Sequence, residues 1–132
     1  MRLDFEMGFA RAVLGVSGLL FAAIGMVFLV DPLPWAAKVD LVMPTSTAVT
    51  DIRAVYGGLD LGLGSFLIWC VCHIQRVKLG LVAGLMVFGG LFMGRLWGVL
   101  ATGDMSEIIV ILGFIEGLGI ILHGVALWNM KR

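Results

Sequence analysis

Charge is what this chain has little of. Asp, Glu, Lys and Arg make up 14% of its 132 residues, where soluble domains carry about 25%. The 9 basic and 9 acidic residues cancel, so there is no basic face for a nucleic-acid backbone and no polybasic run for anionic lipid headgroups. Cysteine is limited to Cys70 and Cys72. They lie roughly 200° apart around a helix, which excludes a mutual disulfide or joint chelation of one ion and reads as two buried, inert thiols. Soluble-enzyme signatures are also missing: there is no H-E-x-x-H and no G-x-S-x-G. The stretch "GLDLGLG" sits in an apolar segment whose helical amides are already bonded, so it is no phosphate loop. Ser17, Ser65 and Ser106 have no evident base beside them. The expectation is a protein that is not an enzyme.

What the chain has in quantity is apolar surface. Hydrophobic residues reach 61% and the mean hydropathy is +1.09, more than a soluble core of this length can hide. A membrane span needs roughly 20 mostly apolar residues. Four windows qualify: residues 12–30, 52–72, 79–100 and 108–128. The first is longer than the roughly 7–15 residues of a signal-peptide core and no A-x-A site follows it, so it reads as a retained anchor. Pro32, Pro34 and Pro44 break helix in the first link, and Trp35 suits a membrane–water interface. The other links are short, which makes neighbouring helices antiparallel. Thr47 or Thr50 is expected to cap the second helix and Ser106 the fourth, with Glu107 favoured beside it.

These signals define an all-α, four-helix transmembrane bundle, a single integral membrane domain over residues 1–132. Arg2, Arg11, Arg76, Lys78, Lys131 and Arg132 fall on one side of it, against Lys38 and Arg53 on the other. The positive-inside rule then puts both termini in the cytoplasm.

The stretch "DIRAVYGGLDLGLGSFLIWC", Asp51–Cys70, raises the functional question, because it holds Arg53 and Asp60 inside a span. Counted at about 1.5 Å per residue, Asp60 lies roughly 13 Å below the surface away from the termini, Arg95 roughly 8–10 Å and Glu116 roughly 13–15 Å. Two cations and two anions from three helices thus share a level. A lone charge in mid-bilayer costs some 2.5–3.5 kcal/mol, so pairing is expected: Arg95 with Asp60 or Glu116, and Arg53 with the remaining carboxylate. Arg53, Gly57, Asp60 and Gly64 fall on one face at 100° per residue, with Tyr56 at its edge as a donor to either carboxylate.

The segments "IRAVYGG" and "GRLWG" (Gly94–Gly98), with Glu116 in the fourth span, resemble a family of small bacterial four-helix membrane proteins of unknown function. Arg53, Tyr56, Gly57, Gly58, Gly94, Arg95 and Glu116 carry the resemblance, which extends over nearly the whole chain in span order and length. Asp60 is not part of the pattern. The resemblance implies a multi-pass protein of the bacterial cytoplasmic (inner) membrane and no activity.

Glycine is abundant, 19 residues, about double the usual 7% share. Four-residue spacings recur at Gly58/Gly62, Gly80/Gly84, Gly90/Gly94/Gly98 and Gly113/Gly117. With Gly57 these are candidates for close helix packing, against sister helices or against another membrane chain. His123 shares a face with Glu116, and "GIILHGVAL" around it is similar to the pigment-binding helix of bacterial light-harvesting polypeptides. That resemblance implies bacteriochlorophyll ligation, and a neutral imidazole could equally bind haem. His73 lies at another depth, which disfavours a bis-histidine site. Three functional readings follow. The first is a non-catalytic structural or accessory subunit that packs against other membrane proteins in the lipid bilayer, without cofactor or metal. The second is a small proton-coupled carrier or binder of a polar or lipidic ligand at Arg53, Tyr56, Asp60, Arg95 and Glu116. The third is a pigment- or haem-associated subunit through His123.

Overall fold

A computed structural model describes residues 2–130, with side chains from Phe5 onward; Lys131 and Arg132, two of the loop cations, lie outside the described residues. Every regular element among them is helical. Helix α1 runs over Arg2–Val30, a short α2 over Leu33–Ala37, α3 over Ser46–Ile52, α4 over Asp60–Cys72, α5 over Val77–Thr102 and α6 over Glu107–Asn129. A π-helical segment, Arg53–Leu59, fuses α3 to α4, and one 3-10 turn, Ile74–Arg76, leads into α5. Four continuous stretches are long and apolar enough to cross a membrane: Phe5–Val30, Ser46–Cys72, Ile74–Thr102 and Glu107–Asn129.

The termini of these helices follow local chemistry. The second span starts earlier than the hydropathy suggests, because Thr45 and neither Thr47 nor Thr50 is its cap. Thr45 is extended (φ −134°, ψ 157°) and its Oγ1 accepts from the Ala48 amide at 3.2 Å. Ser106 occupies the N-cap position of α6 but makes no side-chain capping bond. Its amide instead donates to Asp104 Oδ1 at 2.9 Å, and the Asp104 amide donates to Thr102 Oγ1 at 3.2 Å, so the α5–α6 link is a chain of local hydrogen bonds. Gly103 ends α5 at φ 73°, with its amide donating to Val99 O at 2.8 Å. A side chain in that left-handed conformation costs roughly 1–2 kcal/mol. Gly103→Ala is therefore expected to destabilise the hairpin by about that much in a denaturant titration of the detergent-solubilised protein; an unchanged midpoint would show that the turn relaxes freely.

The contacts between spans set the topology. Gly18 faces Ile68, Gly25 faces Leu61 and Gly57 faces Leu29, so the first two spans run antiparallel. Phe88 meets His123 with tilted rings 5.3 Å apart and Arg95 meets Glu116, which makes α5 and α6 antiparallel, while Gly80 meets both Leu14 and Cys70. The start of α1 and the end of α6 therefore lie at one end of the bundle, the terminal end; the opposite end, with the α5–α6 link, is called here the far end. Helix α1 is central and touches α4, α5 and α6.

The apolar core lies toward the terminal end. Ala10, Leu14, Phe21, Leu67, Cys70, Val77, Leu81, Phe88 and Ala126 form it. Cys70 is buried as expected, but Cys72 is exposed, since it falls on the opposite side of α4. In lipid no hydrophobic force draws helices together, so intimate contact depends on small residues. The closest contact is α1 on α4. A Cβ at Gly25 would strike the backbone of Leu61 and lie 2.7 Å from Gly57 O; one at Gly64 would strike Ala22 and lie 2.6 Å from Gly18 O.

Candidate functional site

At the far end α1 interlocks with the π segment. The wider i→i+5 turns of that segment rotate Arg53 away from the position that a regular α-helix assigns to it. Arg53 Nε donates to Leu29 O at 3.2 Å, where the last carbonyls of α1 lack helical partners. Tyr56 stacks on Phe28 with centroids 5.3 Å apart, and Gly57 leaves room for Leu29. The expected Arg53–carboxylate pair is thus replaced by a bond to the main chain. Asp60 is half-buried at the start of α4, and no hydrogen bond or ion pair of its carboxylate is recorded among the described residues. Arg53, Tyr56 and Asp60 make no hydrogen bond to the second polar group among the described residues, although Tyr56 lies within electrostatic range of Arg95.

That second group is Arg95 with Glu116, across the α5–α6 hairpin. Arg95 Nε donates to Glu116 Oε2 at 2.9 Å and Oε1 at 3.1 Å, and Nη2 donates to Oε1 at 2.6 Å. The side chain of Glu116 is 6% exposed and that of Arg95 22%. Counting inward along antiparallel helices, Arg95 sits about 10 Å from the end of α5 and Glu116 about 14 Å from the start of α6; the reach of the guanidinium spans the difference. The forked geometry matches a carboxylate's two oxygens. Gly113 lies beside the stem, where a Cβ would approach Arg95 Cδ to 3.7 Å.

Beside the pair, α5 and α6 leave an open groove of about 220 Å³, lined by Arg95 and by apolar residues among which are Phe92, Leu96, Val99, Ile109 and Val110. A second hollow of about 170 Å³ shares Arg95, Val99 and Ile109 with it and continues past Thr102 to Asp104 at the rim. The pair therefore borders a continuous, mostly apolar track. Phe92, Arg95, Leu96 and Val99 share one face of α5, and Ile109, Val110 and Gly113 one face of α6, but only the juxtaposition of the two faces makes a groove.

His123 is fully buried. Its Nδ1 donates to Gly119 O at 2.8 Å, while Nε2 has no hydrogen-bond partner among the described residues and lies against Gly84. A Cβ at Gly84 would strike that nitrogen and come within 2.6 Å of Cδ2, and one at Gly119 would lie 2.6 Å from the Phe88 ring. The nitrogen has no open side on which a bacteriochlorophyll or haem could seat, so in this packing His123 is a helix-contact residue. His73 is exposed near the terminal end; its Nδ1 donates to Trp69 O at 2.8 Å, and Arg76 covers the Trp69 ring at 3.9 Å. Among the described residues no group of three or more His, Cys, Asp or Glu is placed to hold a metal ion.

The candidate packing glycines divide sharply. Gly57, Gly80 and Gly84 take close contacts inside the bundle, and Gly113 and Gly117 ordinary ones with Arg95 and Phe92. Gly58 meets only Arg53 O of its own segment, at 3.9 Å, and nothing approaches Gly62, Gly90, Gly94 or Gly98. The glycines of the α1–α4 contact, Gly18, Gly25 and Gly64, belong to no four-residue pair; their signal is a seven-residue spacing, Gly18/Gly25 and Gly57/Gly64, matched between two different spans.

Helical elements throughout, four apolar spans, an internally paired arginine and glutamate, and glycine-mediated helix contacts define a small polytopic α-helical protein of the membrane-spanning class. Within that class the chain belongs to the family described as a domain of unknown function, DUF4345, which matches residues 9–127. No curated protein and no solved structure matches it.

Proposed function

We propose that the protein is a non-catalytic membrane subunit that packs against another membrane chain through the bare glycine face of α5. The observation that supports this is the emptiness around Gly90, Gly94 and Gly98. Trp97, beside them, is 74% exposed. Successive small residues one turn apart let a second helix approach closely, and none of the described residues packs on them. The paired state of Arg95 and Glu116 fits a role in holding the hairpin rather than in chemistry. Loop charges support termini in the cytoplasm: Arg11, Arg76 and Lys78 lie at the terminal end, against Lys38 and Arg53 at the far end; residence in a bacterial inner membrane rests on the family resemblance alone.

Extraction in a mild detergent tests the reading. A complex of fixed composition is expected, which Gly94→Leu should dissolve while leaving the unfolding midpoint of the isolated chain unchanged. A wild-type particle containing this chain alone would overturn it. The groove that reaches Arg95 supports a second reading, a binder of a lipidic ligand.

A further inference from the structure

Resting on that second reading, the geometry points to one occupant of the α5–α6 groove: a zwitterionic phospholipid with an ammonium headgroup, such as phosphatidylethanolamine, held by an acyl chain, an ester carbonyl and its amine.

Depth gives the first argument. Helix α5 has 26 residues, about 39 Å at 1.5 Å per residue, against a hydrocarbon layer of about 30 Å. Centred in the bilayer, it overhangs by about 4–5 Å at each end. Arg95, about 10 Å from the far end, then has its Cα about 6 Å inside the hydrocarbon edge. That is too deep for a phosphate, and about one turn below the glycerol esters, whose carbonyl can be drawn down the track.

Charge gives the second. Glu116 already matches the guanidinium through three hydrogen bonds that occupy Nε and Nη2. An anionic group added there would leave an uncompensated negative charge in hydrocarbon. A neutral acceptor adds none, and the N–H groups of Nη1, for which no partner is recorded, can donate to it. The apolar lining by Phe92, Leu96 and Val110 suits an acyl chain, which is the material surrounding this face.

The rim gives the third. The upper hollow ends on Asp104, whose Oδ1 accepts from Ser106 while Oδ2 has no recorded partner. Asp31, Asp40, Asp51 and the exposed Glu107 stand at the same end, against the two cations Lys38 and Arg53, so that end is acidic in balance. An acidic rim attracts an ammonium and repels the headgroup of an anionic lipid. The same track therefore reads, from rim to depth, amine, ester and chain.

The test is native mass spectrometry of the full chain, equilibrated in mixed micelles holding equal amounts of phosphatidylethanolamine, phosphatidylcholine and phosphatidylglycerol. One retained phosphatidylethanolamine is expected, at least fivefold over either competitor. Leu96→Trp, which fills the groove without touching the ion pair, should lower that adduct tenfold or more, whereas Leu19→Trp on the exposed face of α1 should not. Asp104→Asn should bring phosphatidylethanolamine to the level of phosphatidylcholine while leaving total lipid retention unchanged. Retention of all three lipids equally, abolished by Leu96→Trp, would overturn the headgroup assignment and leave a lipid-binding groove. Retention untouched by Leu96→Trp, or none at all, would overturn the binder reading itself.

Discussion

Glu116→Ala is expected to destabilise the bundle by about 3–5 kcal/mol, the cost of leaving one partner of a buried pair uncompensated. The carboxylate is almost wholly buried and takes three hydrogen bonds from Arg95. Without it the guanidinium must stay charged in an apolar hairpin or swing along its stem toward the rim, and the swing sets the lower bound of the effect. The double variant Arg95→Met/Glu116→Leu replaces both partners by apolar groups of similar bulk and is expected to fall within about 1 kcal/mol of wild type, because desolvating two charges offsets much of their attraction. Midpoints of SDS-driven unfolding in mixed micelles measure both variants, together with the singles Arg95→Met and Glu116→Leu that complete a double-mutant cycle. A coupling under about 0.5 kcal/mol in that cycle would mean that the pair contributes nothing to the fold.

The second large effect is at the α1–α4 crossing. Gly25→Ala introduces a methyl that collides with the backbone of Leu61 and Gly57, not with the end of a side chain that could turn aside. The helices must part along their whole tight contact, and overpacking of this kind costs about 1–3 kcal/mol. Gly94→Ala places the same methyl in open space and is expected to leave the isolated chain unchanged within about 0.5 kcal/mol. The contrast, read by the same unfolding assay, separates glycines that serve this fold from glycines that serve a partner. Equal gains at both positions would mean that helix propensity, not contact, governs them.

The four spans were legible because hydropathy over some 20 residues is a local property that a bilayer reads directly. Helix ends were less so. A cap depends on one hydroxyl meeting one amide, and three threonines stand within five residues of each other near the start of the second span, of which Thr45 has the extended backbone that capping requires. The shared level of Arg95 and Glu116 also followed from counting along antiparallel helices. Arg53 failed the same count. A face drawn at 100° per residue assumes regular α-helix, and the π segment from Arg53 to Leu59 breaks that assumption within the motif that carried the expectation. Nor could spacing distinguish Gly84, pressed against His123, from Gly94, which meets nothing. Both lie in four-residue glycine repeats of one helix.

What the sequence by itself determined is therefore what acts along one helix: the number of helices long and apolar enough to cross a membrane, their approximate limits, their antiparallel order and the shared level of Arg95 and Glu116. What only the tertiary structure decided is everything that depends on rotation about a helix axis and on which helices become neighbours: the choice of Glu116 over Asp60 for Arg95, the bond from Arg53 to the end of α1, the closure of the His123 nitrogen by Gly84, and the groove between α5 and α6. The physical reason is that burial in lipid is nearly indifferent to rotation when a helix is apolar all round. Rotation is then set by contacts between small residues and by polar pairing across helices, both of which join residues far apart in the chain.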